Sequence, residues 1–173
     1  MDTVGHNVAA ARGSRLIFEA VKAAGITTVA SLPERKLFDL IELVSNDPDL
    51  RHVALCREEE GVAICAGSYL AGGKPAMIMQ NGGLLNSVNA LTSTAIHLQI
   101  PTLLLVYYAG DFGDRGFSTV GSVTEGVLRG LQIRYEVLRR HEDIRPTITG
   151  AWTLAEDSHR PVAVLLTKPV LLQ

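Results

Sequence analysis

Aromatic residues are scarce in this chain, at 5%, and no Lys/Arg stripe disturbs a balance of 16 basic against 18 acidic residues. A base-stacking platform and a phosphate-tracking groove both need what is missing, so nucleic acid is not an expected partner. Only two cysteines occur, Cys56 and Cys65. They stand in apolar company at no zinc spacing and are expected to be reduced, buried small hydrophobes. No apolar run reaches the ~20 residues that span a bilayer, and the start MDTVGHNVAAARGSR lacks the apolar stretch of a signal peptide. A cytoplasmic protein without membrane contact is the expectation. The five histidines, His6, His52, His97, His141 and His159, show no metal-ligand spacing. Phosphate-loop, dinucleotide and nucleophile-elbow signatures are also missing, which removes nucleotide binding and stand-alone serine hydrolysis from the first rank of readings.

What is present is a core. Hydrophobic residues make up 47% of 173, enough for one domain that buries roughly two thirds of its unfolded surface. Short runs rich in Val, Ile and Leu recur at 27–31, 52–56, 75–79, 101–106 and 161–166, with a weaker one at 135–139. They suit strands covered on both faces. Helical spacing separates them: Leu16, Ile17, Ala20, Val21 and Ala24 form one apolar stripe, ended by Gly25, and Leu37, Leu40, Ile41 and Val44 another. A last helix is expected over 143–158. The alternation predicts a three-layer α/β/α fold with a mostly parallel, doubly wound sheet of about six strands. Residues 107–121, with four glycines and no apolar period, read as a long surface loop.

Two strand ends carry polar groups. After the run at 52–56 comes REEEGVAICAGSYLAGGK, in which Glu58, Glu59 and Glu60 open a helix with no charge over 61–71. Such a helix is expected to be buried on nearly every side. The three glutamates leave the axis about 100° apart, and periodicity does not choose among them. Acidic residues also favour a first helical turn through the macrodipole alone. The next strand ends in MQNGGLLN, where Gln80, Asn81, Gly82 and Gly83 make a tight polar turn whose amides suit an anion. Both ends lie at the carboxyl edge of the sheet, where open α/β folds bind ligands.

The run REEEGVAICAGSYLAGGKPAMIMQNGGLLNSVNALTS resembles the pyrimidine-binding domain of thiamine-diphosphate-dependent decarboxylases, in particular the sulfopyruvate decarboxylase α subunits, with phosphonopyruvate decarboxylases as near relatives. The likeness extends over GITTVASLP, QIPTLLLV and RPVAVLLTKP, and so over one pyrimidine-binding domain at 1–173. It implies that a glutamate at this helix start binds N1′ of the aminopyrimidine and that a glycine follows nine residues later. Gly67 of CAGSY stands nine after Glu58, which selects Glu58 as the catalytic carboxylate. Thiamine diphosphate then supplies the electron sink that lets carbon dioxide leave a 2-oxo acid. The resemblance adds Ser31, Pro33, Gln80, Asn81 and Gly82 as cofactor contacts, and Arg35, Lys36 and Asn81 as contacts to the substrate. A guanidinium such as that of Arg35 clamps a sulfonate, phosphonate or carboxylate through paired hydrogen bonds, which favours a small 2-oxo acid with a second anionic group. Arg57 is a weaker second cation, and His97 a candidate proton relay.

The family's Mg2+ site uses a GDG motif with asparagines downstream, an oxygen-ligand set. Here Gly110-Asp111 and Gly113-Asp114 have no asparagine after them, since Asn89 is the last. No metal ligand is assigned in this chain. The resemblance therefore implies a β chain that carries the diphosphate domain and its Mg2+, in a hetero-oligomer with the cofactor across the interface. Relatives read MQNSGLGN where this chain has MQNGGLLN, so Gly82 replaces a hydroxyl and Leu85 a glycine. Those departures keep a second reading open: a regulatory or assembly subunit that retains the fold without the chemistry.

Overall fold

The computed structural model describes residues 11–172. The leader reading, which rests on the first residues, and His6 fall outside them. Helix α1 (Arg12–Ala23) ends as its sequence predicts, with Gly25 at φ 74. Strand β1 (Thr28–Ser31), α2 (Phe38–Asn46), β2 (Arg51–Ala54), α3 (Glu58–Leu70) and β3 (Pro75–Gln80) follow in βα alternation. Then come α4 (Asn81–Asn86), α5 (Val88–Ala90) running into a π-helical stretch (Leu91–Ile96), and β4 (Thr102–Tyr107). After a loop, α6 (Ser118–Gly130), β5 (Arg134–Leu138), α7 (Ile144–Ser158), β6 (Pro161–Leu166) and α8 (Lys168–Leu172) complete the described chain.

The six strands form one all-parallel sheet in the order β2-β1-β3-β4-β6-β5. Its central strands read as continuous apolar runs because both faces are covered. In β3 and β4, Ala76, Ile78, Leu103 and Leu105 enter the core beneath α1, α2, α7 and α8, while Met77, Met79, Leu104 and Val106 enter the one beneath α3, α4 and α6. The expected three-layer architecture is what the chain adopts.

Two expectations need correction. Helix α3 is not buried all round: Ala63, Gly67 and Leu70 lie exposed along one side, Leu70 at 73%. Absence of charge reports polarity and not cover, and this side has none among the described residues. A methyl group added to Gly67 would meet nothing within 4 Å, so no contact among the described residues requires that glycine. Cys56 is likewise exposed, in the loop between β2 and α3, whereas Cys65 is buried and its thiol pushed up to about 12 by desolvation. No helix among the described residues is long and apolar enough to cross a membrane.

Candidate active site

The three glutamates that periodicity left equivalent have separate jobs. Glu60 turns back over the helix start, where Oε2 accepts the backbone N–H groups of Cys56 and Arg57, each at 3.3 Å. It satisfies donors that a helix N-terminus leaves orphaned. Glu59 pairs with the Arg57 guanidinium at 2.7 Å, and that bond holds its carboxyl below the ordinary range. Glu58 has no hydrogen bond or ion pair to any described residue. Its carboxylate instead lies across the backbone of Gly83, whose missing Cβ would fall 2.4 Å from Oε1 and 2.5 Å from Cγ.

Two glycines set this position. Gly61, one turn into α3, lets the helix settle against the Leu55 and Met77 side chains, which an added Cβ would meet at 2.6 and 2.8 Å. Gly83, in the first turn of α4, leaves the space that the Glu58 side chain fills. Here glycine serves close approach and not a special backbone angle. The half-buried Gln80 ends β3, and its Oε1 lies 3.0 Å from the Cβ position of Gly82. Glu58, Gln80 and the Gly82-Gly83 turn thus meet at the carboxyl edge of β3, as expected from their strand ends.

Other expected residues are placed differently. Asn81 is fully enclosed: its amide donates to the Ala109 carbonyl at 2.8 Å and to Thr124 Oγ1 at 2.9 Å, tying the end of β3 to the end of β4 and to α6. Its Oδ1 is buried without a protein partner among the described residues. Asn81 is therefore a clamp beneath the site and presents no side-chain atom to solvent. Asn81→Ala should lower stability by about 2 kcal/mol, because buried partners lose their bonds, and a shifted urea midpoint with unchanged slope checks this. The Ser31 hydroxyl is buried and shares a 2.8 Å hydrogen bond with His52 Nε2. Pro33 and Arg35 are exposed in the turn after β1 and Lys36 is half-buried. Glu34 shapes that turn by accepting the backbone N–H groups of Lys36 and Leu37. Arg35 has no ion pair among the described residues, whereas Arg57 is engaged by Glu59. His97 is a correction: it is exposed between the π-helical stretch and β4, at the amino edge of the sheet, and shares nothing with Glu58.

Sequence reading passed over Tyr107, which stands opposite Gln80 in register and donates to Asp114 Oδ2 at 2.5 Å. Burial, then the Asp114 carboxylate, pushes its hydroxyl up. Asp114 also meets Lys168 Nζ at 3.4 Å, and Asp111 takes paired bonds from Arg139 at 2.7 and 3.0 Å. Burial works to raise the Asp111 carboxyl, but Arg139 and a backbone donor outweigh it and hold it low. Both aspartates of the Gly-Asp pairs are thus spent on latching the loop. No cluster of three or more His, Cys, Asp or Glu among the described residues is arranged for a metal ion.

The family model described as thiamine pyrophosphate enzyme, N-terminal TPP binding domain, matches residues 11–110. The chain belongs to this family. The sulfopyruvate decarboxylase subunit alpha of Methanococcus maripaludis is 32% identical over 155 residues, covering 88% of this chain and 93% of that one. The sulfopyruvate decarboxylase of Methanosarcina acetivorans is 35% identical over 157 residues, and there the match covers 89% of this chain but 40% of its counterpart. Among solved structures, the thiamine diphosphate-dependent 4-hydroxybenzoylformate decarboxylase of Rhodococcus jostii RHA1 superposes with a TM-score of 0.70 at 20% identity, over 92% of this chain and 31% of that one. It shares the fold.

The TPP-binding domain's residues suit the pyrimidine end of thiamine diphosphate. Glu58 offers a carboxylate unclaimed by hydrogen bond or ion pair with any described residue, seated in the space that Gly83 leaves open.

Proposed function

We propose that this chain is the α subunit of a two-chain, thiamine-diphosphate-dependent sulfopyruvate decarboxylase, converting 3-sulfopyruvate to sulfoacetaldehyde and carbon dioxide. The carrying observation is the division of labour at the start of α3: Glu60 caps, Glu59 pairs with Arg57, and Glu58 alone is left for a ligand. Coverage of 93% of an α subunit supports the two-chain arrangement.

In this reading Glu58 holds a proton against N1′ of the aminopyrimidine. Gly61 and Gly83 fix where its carboxylate sits, and Gln80 and Gly82 are the neighbouring residues that would hold the ring. When bound, the cofactor supplies the electron sink for loss of carbon dioxide from a 2-oxo acid. Its diphosphate and Mg2+ are held by the partner chain. Asn81 and Tyr107 act from below, fixing the ends of β3 and β4.

Arg35 and Lys36 receive the substrate's second anion. Phosphonopyruvate also carries a second anionic group beside its carboxylate and is the alternative substrate. Arg35→Gln should raise KM for sulfopyruvate about 10- to 100-fold, since a charge-assisted hydrogen bond contributes about 1.5–3 kcal/mol, and leave kcat nearly unchanged. Pyruvate, which lacks the second anion, should be insensitive. An unchanged KM for sulfopyruvate would remove Arg35 from the site.

A further inference from the structure

The sheet ends on one side at β5, whose outer edge meets no strand among the described residues. The strand is held firmly from within. It pairs along its whole length with β6, and the Tyr135 hydroxyl donates to Glu125 Oε2 and accepts from Arg129, both at 2.7 Å, which ties β5 to α6. The Leu138 carbonyl turns toward β6, where it accepts the Thr167 N–H at 3.4 Å. With a two-residue period, Arg134 and Glu136 turn their peptide groups the same way, and Tyr135 and Val137 present theirs outward. An edge of this kind is a template for another strand.

Side chains divide by the same period. Tyr135 and Val137 pack against the core on the α6 side and Leu138 joins the core beneath α7, which places Arg134 and Glu136 on the α7 side. Both are exposed, and neither has an ion pair among the described residues. Helix α7 does not close over them: an open groove of about 620 Å3 runs between β5 and Thr147, Gly150 and Leu154. A methyl group added to Gly150 would meet nothing within 4 Å.

Charges of opposite sign two residues apart on a free edge are complementary to themselves. In an antiparallel pair about a two-fold axis at Tyr135, Arg134 of each copy stands opposite Glu136 of the other. The outward peptide groups of the two Tyr135 residues then exchange hydrogen bonds, and the charged pairs fall at the positions where side chains come closest. Moving the axis to Glu136 would set two glutamates against each other, and moving it to Arg134 two arginines. Like charges directly opposite destabilise a strand pair.

We infer that β5 pairs antiparallel with the β5 of a second copy of this chain, continuing the sheet across a two-fold axis at Tyr135, with each Arg134 against the other copy's Glu136 beside the α7 groove. The second copy is favoured as occupant because the edge matches itself in charge, and a two-fold axis satisfies that match twice. Strands β4 and β6 stand between β5 and β3, so a joint at this edge leaves the Glu58 site open to a different chain. Loss of the joint therefore says nothing against the assignment of Glu58.

The test is sedimentation of the purified full chain and of two charge-reversal variants, Arg134→Glu and Glu136→Arg, alone and mixed. The wild-type chain should sediment as a dimer. Each variant alone sets like charges opposite each other at both pairs and should self-associate at least about 10-fold more weakly. Mixed in equal amounts, one variant brings two glutamates and the other two arginines, so every pair is attractive again and a heterodimer should form with wild-type affinity. Arg134→Glu combined with Glu136→Arg in one chain should likewise self-associate as wild type. Circular dichroism confirms that each variant is folded, and a folding defect would not be repaired by mixing. A monomeric wild-type chain overturns the pairing. Self-association of both single variants within twofold of wild type places the contact on another face and also overturns it. So does a mixture that stays as monomeric as its two components.

Discussion

Glu58→Gln should reduce carbon dioxide release by the assembled enzyme at least about 100-fold, the usual scale for a positioned proton-transfer group, while folding and partner binding stay as in wild type. The carboxamide keeps the shape and gives up the charge. Because Glu58 holds no described residue in place, stability should move by no more than about 0.5 kcal/mol. Release of carbon dioxide from sulfopyruvate, measured with thiamine diphosphate and Mg2+, reports the first effect, and the urea midpoint the second. The contrast with its neighbours sharpens the test. Glu59 and Glu60 are engaged with Arg57 and with the helix-start amides, so their chemistry is structural. Undiminished turnover by Glu58→Gln would sink the assignment.

Gly83→Ala is expected to act on the same carboxylate from the other side. A methyl group there would stand 2.4 Å from Glu58 Oε1 and 2.5 Å from its Cγ, so the whole side chain, and not its tip alone, is in the way, but it is a flexible side chain and not backbone. The side chain should therefore swing aside and the fold persist. Alanine also favours α4 over glycine by about 1 kcal/mol, so stability should hold or rise. Activity should not survive the move: displacing a catalytic group by about 1 Å costs on the order of 100-fold. A variant as stable as wild type with kcat/KM down by that factor separates positioning from folding. Full activity would show that Glu58 need not rest where the structure places it.

Much of the architecture was legible because it depends on patterns that sequence carries directly. All six strand runs appear within a residue or two of their expected bounds, but cover on both faces holds only for the four central strands: the edge strands β2 and β5 are partly exposed. Gly25 ends α1 for the reason its type suggests. The π-helical stretch at Leu91–Ile96 and the short α8 were not legible, because a stretch that departs from 3.6-residue spacing and a five-residue helix leave no periodic signal. Cover was illegible too. The uncharged run after Glu60 marks α3 as apolar, yet its Ala63, Gly67 and Leu70 side faces outward, and Cys56 stands exposed beside apolar neighbours.

The site divides along the same line. Polar residues at two strand ends located the carboxyl edge, but residue type does not tell which way a side chain turns. Asn81 points inward to Ala109 and Thr124, Ser31 toward His52, and His97 lies at the opposite edge. Glu58 emerged from three identical residues only through resemblance; what the structure adds is that Glu60 accepts the helix-start amides and Glu59 pairs with Arg57, while Glu58 has neither kind of partner among the described residues. Tyr107 went unnoticed because a tyrosine closing a strand reads as core until Asp114 is found against its hydroxyl.

The central claim is that an active site is completed only when Glu58 of this chain meets a diphosphate domain on another. Carbon dioxide release from sulfopyruvate, with thiamine diphosphate and Mg2+ in excess, measured for this chain alone, for the diphosphate-domain chain alone and for their equimolar mixture, tests it most directly. The account predicts turnover in the mixture and none from either chain by itself. Turnover by the diphosphate-domain chain alone at the rate of the mixture would contradict it and leave this chain as an assembly subunit.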